Sequence, residues 1–126
     1  MIISTGIDII EVYRIHEAIT RTPRFVQRVY TADEREYCER RGAAAAQSFA
    51  ARFAAKEAFL KAIRTGWRGK VTWQEIEVTQ NAEGAPKLSI QGEAAKLMDS
   101  LGADRIHLTL SHTSEFAVAQ VILERT

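Results

Sequence analysis

Through the middle of the chain, apolar residues recur at spacings of three, four and seven: Phe49, Phe53, Leu60 and Ile63. That rhythm predicts one long helix over residues 43–63 with a single buried stripe. At the N-terminus, Ile2, Ile3, Ile7, Ile9 and Ile10 crowd into ten residues, interrupted by Gly6 and Asp8. Such a run reads as a buried strand over 1–10, with Gly6 marking a bulge or a close approach to the backbone. Val12, Ile15 and Ile19 share a face of a short amphipathic helix over 11–20. Thr22-Pro23 breaks it, and Pro23 suits the first turn of another short helix over 24–29. Thr31-Ala-Asp-Glu34 has the form of a capping box and opens a polar helix reaching about Arg41, which Gly42 ends.

Beyond the long helix, Thr65-Gly66 reads as its stop, with Gly66 in a left-handed cap and Trp67 and Gly69 in the following loop. Alternation predicts strands over 71–79 and 87–90, joined by the turn cluster Asn81-Ala-Glu-Gly84-Ala-Pro86. Ala95, Leu97, Met98 and Leu101 give an amphipathic helix over 92–102. Strands over 106–110 and 116–123 follow, with Ser111-His112-Thr113-Ser114 as their connection. The class is α+β: an antiparallel sheet, drawn from the C-terminal half, packed on one long helix plus short helices. At 126 residues, without repeats or linkers, positions 1–126 form a single domain.

Charge refines this picture locally rather than globally. The net charge is +1, so nothing overall points to nucleic acid. Between Val12 and Tyr30, however, Arg14, Arg21, Arg24 and Arg28 face a single acid, Glu17, a local charge of +3. Guanidinium forks bond carboxylates and phosphates bidentately, so this segment reads as a docking patch for an acidic partner. The one cysteine, Cys38, permits no internal disulfide and reads as a small apolar residue with no His partner for catalysis. The N-terminus lacks a signal-peptide layout, and no run approaches the ~18 apolar residues of a membrane span. The expectation is a soluble cytoplasmic protein without membrane contact.

The candidate chemistry starts from Glu57 and Lys61, four apart and therefore over one patch of helix surface. Asp8, an acid in an apolar strand, needs a partner. If Glu57 and Asp8 converge, they form a hard-cation site with room for substrate phosphates. Ser111, His112 and Thr113 place two hydroxyls and an imidazole close together, and with Arg52, Lys56 and Lys61 they suit phosphate. His112 adjoins its serine and supports no acid-His-Ser triad. His16 and His107 read as ordinary helix and strand residues, and zinc spacing is absent. No phosphate-binding G-x-x-x-x-G-K-[ST] loop and no G-x-G-x-x-G turn occurs. These parts indicate phosphoryl-type transfer from a nucleotide-like donor to a protein. The competing reading is a non-catalytic, arginine-faced adaptor in which Asp8 and Glu57 are separately salt-bridged.

Gly6-Ile7-Asp8, followed by Phe53-Ala-Ala-Lys56-Glu57-Ala58 and Lys61, resembles the two signature motifs of the phosphopantetheinyl transferases. The longer string Arg52-Phe-Ala-Ala-Lys-Glu-Ala58, the Asn81-Gly84-Pro86 turn and Leu110-Ser-His-Thr113 are similar to the short type, the holo-(acyl-carrier-protein) synthases. The likeness runs through essentially the whole chain in order. One departure is the turn Glu-Gly-Ala-Pro86, where a lysine often precedes the proline and a cofactor contact at Pro86 is in question. The resemblance implies the phosphopantetheinyl transferase fold and transfer of 4′-phosphopantetheine from coenzyme A to a serine of acyl carrier protein. It implies Mg²⁺ on Asp8 and Glu57, and Lys61 against the phosphate under attack. Arg52, Lys56, Pro86, Ser111, His112 and Thr113 become candidates for the coenzyme, and Arg14, Arg21, Arg24 and Arg28 for the carrier. The serine proton goes either to a metal-bound water relayed by a carboxylate or to Glu57 itself; both stay open at this stage. Long-type relatives resemble two fused copies of this unit, so a single copy implies a homotrimer with sites between subunits.

Overall fold

The computed structural model describes residues 1–64 and 70–126. The strands are β1 (Ile2–Glu11), β2 (Ile76–Gln80), β3 (Pro86–Ile90), β4 (Arg105–His112) and β5 (Phe116–Glu124). The helices are α1 (Val12–Arg21), α2 (Phe25–Val29), α3 (Ala32–Glu39), α4 (Ala45–Ala62) and α5 (Gly92–Ser100). β1, β5 and β4 form one antiparallel sheet in that order, and β2 and β3 form a separate hairpin. The N-terminal strand therefore belongs to the main sheet, which the sequence had assigned to the C-terminal half alone.

β1 inverts the expected pattern. Its isoleucines at 7 and 9 point outward, 60% and 63% exposed, while Ser4 and Gly6 face inward. The reason is how closely α4 approaches. The Ser4 hydroxyl donates to the Ala62 carbonyl at 2.6 Å, and a Cβ on Gly6 would land on the Ala58 carbonyl oxygen. Small residues are required where helix backbone meets strand backbone. Gly6 thus serves a close approach, while the register irregularity of β1 lies between Ile2 and Ser4.

α4 is buried on nearly all sides rather than along one stripe: Phe49, Leu60 and Ile63 are covered, and so are six of its alanines. Its alanines let the sheet approach on one side and α1–α3 on the other. One apolar cluster joins the C-terminal half of α4 to the sheet, the hairpin and α5. A second joins its N-terminal half to α1, α2 and α3 through Ile15, Val29, Tyr30 and Cys38. Cys38 is fully buried there, and burial pushes its thiol up. The Thr31–Glu34 capping box forms as predicted, but α3 stops at Glu39.

Further boundaries move. A single 3₁₀ turn over Gly42–Ala44 precedes α4, and another over Trp73–Glu75 replaces the first half of the strand expected from 71. The left-handed residue after α4 is Arg64, with φ 63°; the expected cap at Gly66 and the loop at Trp67 and Gly69 lie outside the described residues. β4 continues through His112, so the connection to β5 is the turn 113–115.

Candidate active site

Asp8 occupies an inward position on β1 and Glu57 the facing side of α4, and both line one cleft with Ile9, Ile10, Glu11, Arg14, Phe53 and Phe116. Lys61, one turn beyond Glu57, donates to Asp8 Oδ1 at 3.0 Å and to the Ile7 carbonyl at 3.1 Å. Lys61 thus bonds across to β1, although it shares a patch of helix surface with Glu57. Burial pushes the Glu57 carboxyl up, the nearby Asp8 charge pushes it further, and Lys61 opposes both. Two carboxylates and an ammonium thus share a small volume with an apolar wall of Phe53 and Phe116. Glu11 and Phe116 were not singled out in the sequence, and Phe53 was read as part of the buried stripe rather than as a wall of a cleft.

A second cleft lies on the other side of α4. Tyr37, Arg41, Ser48, Arg52, Gln80 and His112 are among its lining residues, with Gly84 and Pro86 from the β2–β3 turn. It contains no carboxylate. Asn81 builds that turn by accepting from the Glu83 and Ala85 amides, both at 2.9 Å, and Gly84 takes φ 86°. Arg52 is 4% exposed; its Nη1 donates to Ser48 Oγ at 3.1 Å, and its Nε finds no hydrogen-bond partner among the described residues. A buried, partly unsatisfied guanidinium in an acid-free cleft is poised for an anion. Arg52, His112 and Pro86 are thus brought together as the sequence suggested.

Two candidates are not. Lys56 is fully buried and points away from both clefts: its three donors go to Glu34 Oε1 at 2.8 Å, the Trp73 carbonyl at 3.1 Å and the Ile76 carbonyl at 2.6 Å. Burial pulls its pKa down while Glu34 holds it up. An ammonium has three protons and no more, so this arrangement leaves none for a phosphate. Lys56 is a structural anchor. Ser111 sits outward on β4 opposite Val118, whereas its neighbours Leu110 and His112 line the second cleft. Strand alternation turns it away. Thr113 lies at the β4–β5 turn, where its hydroxyl accepts from the Glu115 and Phe116 amides at 3.1 and 3.0 Å.

The four arginines are all exposed. Arg14 lines the first cleft itself, whereas Arg21 ends α1, Arg24 precedes α2 and Arg28 lies on α2, lining a separate surface depression with Val71, Thr72 and Trp73. Arg21 is engaged by Glu17 at 2.8 Å. The surface is held firmly from below. Tyr30 donates to the Phe49 carbonyl at 2.8 Å, and the Gln74 amide donates to the Gln27 and Tyr30 carbonyls at 2.6 and 3.0 Å.

The family model of the 4′-phosphopantetheinyl transferase superfamily matches residues 4–121. The chain belongs to this superfamily. It is 52% identical to the holo-(acyl-carrier-protein) synthase of Koribacter versatilis over 125 residues, 98% of this chain and 99% of that one. A crystal structure of a holo-(acyl-carrier-protein) synthase from Bacillus anthracis, in complex with CoA (3′,5′-ADP), covers all of this chain. It superposes at a TM-score of 0.82 with 38% identity and 99% of its own chain covered. The synthase of Neisseria meningitidis matches at TM-score 0.85 and 33% identity, over 99% of this chain and 100% of that one. The α+β architecture of antiparallel sheets around one long helix is therefore that of the superfamily. Within that frame the two clefts are the places to seek its chemistry. Among the described residues no helix is long and apolar enough to cross a membrane.

Proposed function

We infer that this chain transfers the 4′-phosphopantetheine group of coenzyme A to a serine of apo acyl carrier protein, releasing 3′,5′-ADP, as a holo-(acyl-carrier-protein) synthase of fatty acid biosynthesis. The observation that carries this reading is the carboxylate cleft, where Asp8, Glu57 and Lys61 converge beside Arg14. Family membership and the coenzyme named with the related crystal structure agree with it. The adaptor reading required Asp8 and Glu57 to be separately paired. Instead they share one cleft, and Asp8's charge raises Glu57.

Mg²⁺ fits this cleft. Among the described residues no group of three or more His, Cys, Asp or Glu side chains forms a metal cage. Mg²⁺ commonly takes one or two carboxylates and completes its shell with substrate phosphates and water. Asp8 and Glu57 would hold it, and it would neutralise pyrophosphate charge. The chain's own groups supply the remainder. Lys61 would meet the phosphoryl oxygens, and the serine proton would pass to Glu57 or to a water oriented by one of the two carboxylates. The serine oxygen bonds to the β-phosphorus as the bond from that phosphorus to the bridging oxygen breaks, and 3′,5′-ADP leaves with that oxygen. Arg52 and His112 would receive the 3′-phosphate and adenosine end, with Pro86 and Thr113 at the edge. Arg14, Arg21, Arg24 and Arg28 would receive the acidic carrier.

The two clefts support a shared site. On α4, Ser48, Ala51 and Arg52 face one side, and Phe53 and Glu57 face nearly the opposite side, at about 100° per residue. The 3′-phosphate and pyrophosphate of one coenzyme A are separated by a single ribose, too short a span to reach around a helix about 10 Å across. One copy then supplies the carboxylates and a neighbour supplies Arg52. We propose a homotrimer of single-domain subunits with three such sites. The outward isoleucines of β1, with Val118 and Ile122 beside them, give an apolar sheet face that contact between copies would cover. A cytoplasmic setting accords with a free cysteine and with the carrier's chemistry.

The test is intact-mass analysis of apo acyl carrier protein after incubation with this protein, coenzyme A and Mg²⁺. A gain of one phosphopantetheine that disappears with chelator is expected. No gain with several carriers, from a folded sample, would overturn the reading.

A further inference from the structure

Asp8 suits two cations, and one of them belongs to the chain. Its Oδ1 accepts from the Lys61 ammonium at 3.0 Å, and the same ammonium donates to the Ile7 carbonyl at 3.1 Å. Two acceptors of β1 therefore hold Lys61 against the strand. The Asp8 side chain is 15% exposed and that of Lys61 is 55% exposed. The acid is set into the wall of the cleft, whereas Lys61 reaches it from the solvent side on a flexible four-carbon stem. Asp8 and Glu57 line this cleft together, and two carboxylates in one site repel unless a cation offsets their charge. Lys61 supplies such a cation from within the chain. A second cation on Asp8 would be repelled by the first at short range. Of the two, Lys61 has a side chain free to swing away and other acceptors to meet.

We propose, resting on the transferase reading above, that Lys61 is a resident stand-in for the metal. It holds Asp8 in place beforehand, and Asp8 exchanges it for Mg²⁺. Freed from Asp8 and Ile7, Lys61 stays tethered one turn from Glu57 with its donors vacated for phosphoryl oxygens. A bond to Asp8 and a bond to phosphate draw on the same ammonium, so loading the metal releases the group that the coenzyme needs. Metal and coenzyme then bind with positive coupling, and Lys61 transmits part of it.

The experiment follows the lysine ammonium groups of the full-length, ¹⁵N-lysine-labelled protein by NMR, without coenzyme or carrier. The Lys61 signal is identified by its loss in Lys61→Met. Saturating Mg²⁺ should speed its proton exchange with water several-fold, while the exposed Lys96 on α5 serves as the unchanged reference. Calorimetric titration with Mg²⁺ alone should show Lys61→Met binding it about tenfold more tightly than the wild type, because Asp8 then has no bond to give up. Mg²⁺ should strengthen 3′,5′-ADP binding by the wild type, and by a smaller factor in Lys61→Met. Lys61 exchange unchanged by Mg²⁺ in a sample shown by calorimetry to bind it would mean that both cations share Asp8, and would overturn the proposal. Equal Mg²⁺ affinity of wild type and Lys61→Met, or binding by neither, would overturn it as well. Absence of transfer by the wild type would instead overturn the functional reading beneath it.

Discussion

The two clefts on either side of α4 differ in how their charge is held. In the first, one bond joins Lys61 to Asp8 while Glu57 stands beside them on the same cleft, and burial already disfavours the charge on Glu57. In the second, Arg52 is locked by Ser48 and stacked on Tyr37, with no acid to neutralise it. The first is arranged to change its protonation and to receive a cation; the second is arranged to stay charged and receive an anion. A single helix serves both because residues one position apart, such as Arg52 and Phe53, diverge by about 100°. The division places reactive groups on one side and recognition groups on the other.

The largest expected effect follows from that division. Glu57→Gln should reduce transfer by about three orders of magnitude, on the scale of losing a catalytic base with part of a metal site. Arg52→Ala should also be severely impaired, in its use of coenzyme A. Co-expressed in equal amounts, the two variants should nevertheless recover activity. In a closed ring, a site is intact when one subunit brings Glu57 and the next brings Arg52. Random mixing makes about a quarter of sites intact. Steady-state assay of the mixed sample checks this, and recovery absent from a confirmed mixed oligomer would place both clefts of a site on one subunit.

Lys56 sharpens the contrast from the side of stability. Lys56→Met leaves the Glu34 carboxylate buried without its ammonium, although Thr31 and Val78 amides still donate to it at 2.9 and 2.8 Å. Breaking one side of a buried pair costs about 3 kcal/mol or more. Denaturant titration should show that loss, while KM for coenzyme A in the folded fraction changes less than about twofold. A raised KM with unchanged stability would return Lys56 to the phosphate site.

Why Lys56 turns away from both clefts while Glu57 lines one is a matter of neighbours. The spacing from Glu57 to Lys61 and the isolated acid at Asp8 are visible in the chain, and the fold brings all three together. Lys56 has the same chemistry one residue earlier, but its direction depends on which side of α4 is covered. The alanines that make nearly every side coverable conceal this. Likewise the isoleucines of β1 read as core, because a strand's alternation does not say which face α4 will occupy. Gly6 was the available signal: a residue without a Cβ points to the side of closest approach.

The carrier face should respond more weakly and with a different signature. Arg24→Glu is expected to raise KM for acyl carrier protein by about tenfold at low salt, an effect that shrinks as ionic strength rises. Arg21, held by Glu17, should matter less: Arg21→Ala is expected to change KM by about twofold. Initial rates across a salt series check both. Equal sensitivity at the two positions would mean that Glu17 releases Arg21 on docking.

The smallest effect tests the character of the first cleft most directly. Burial raises the Glu57 pKa above its ordinary value near 4.3, so the folded state binds that proton more tightly than the unfolded chain. Its contribution to stability is therefore greatest below the unfolded pKa and declines as pH rises through the folded one. At neutral pH the ionised carboxylate is a burden on the fold. Glu57→Gln should raise the Tm at pH 7.5 by a few degrees at most, because Glu57 is only half-buried and solvent screens it. The gain should vanish as pH falls toward 4. The same substitution that abolishes transfer would then stabilise the protein. Added Mg²⁺ should narrow the difference by stabilising the wild type more than the variant. A variant less stable than the wild type at pH 7.5 without metal would show that Lys61 already satisfies the Glu57 carboxylate against the repulsion of Asp8, and the cleft would then be a structural ion network rather than a poised site.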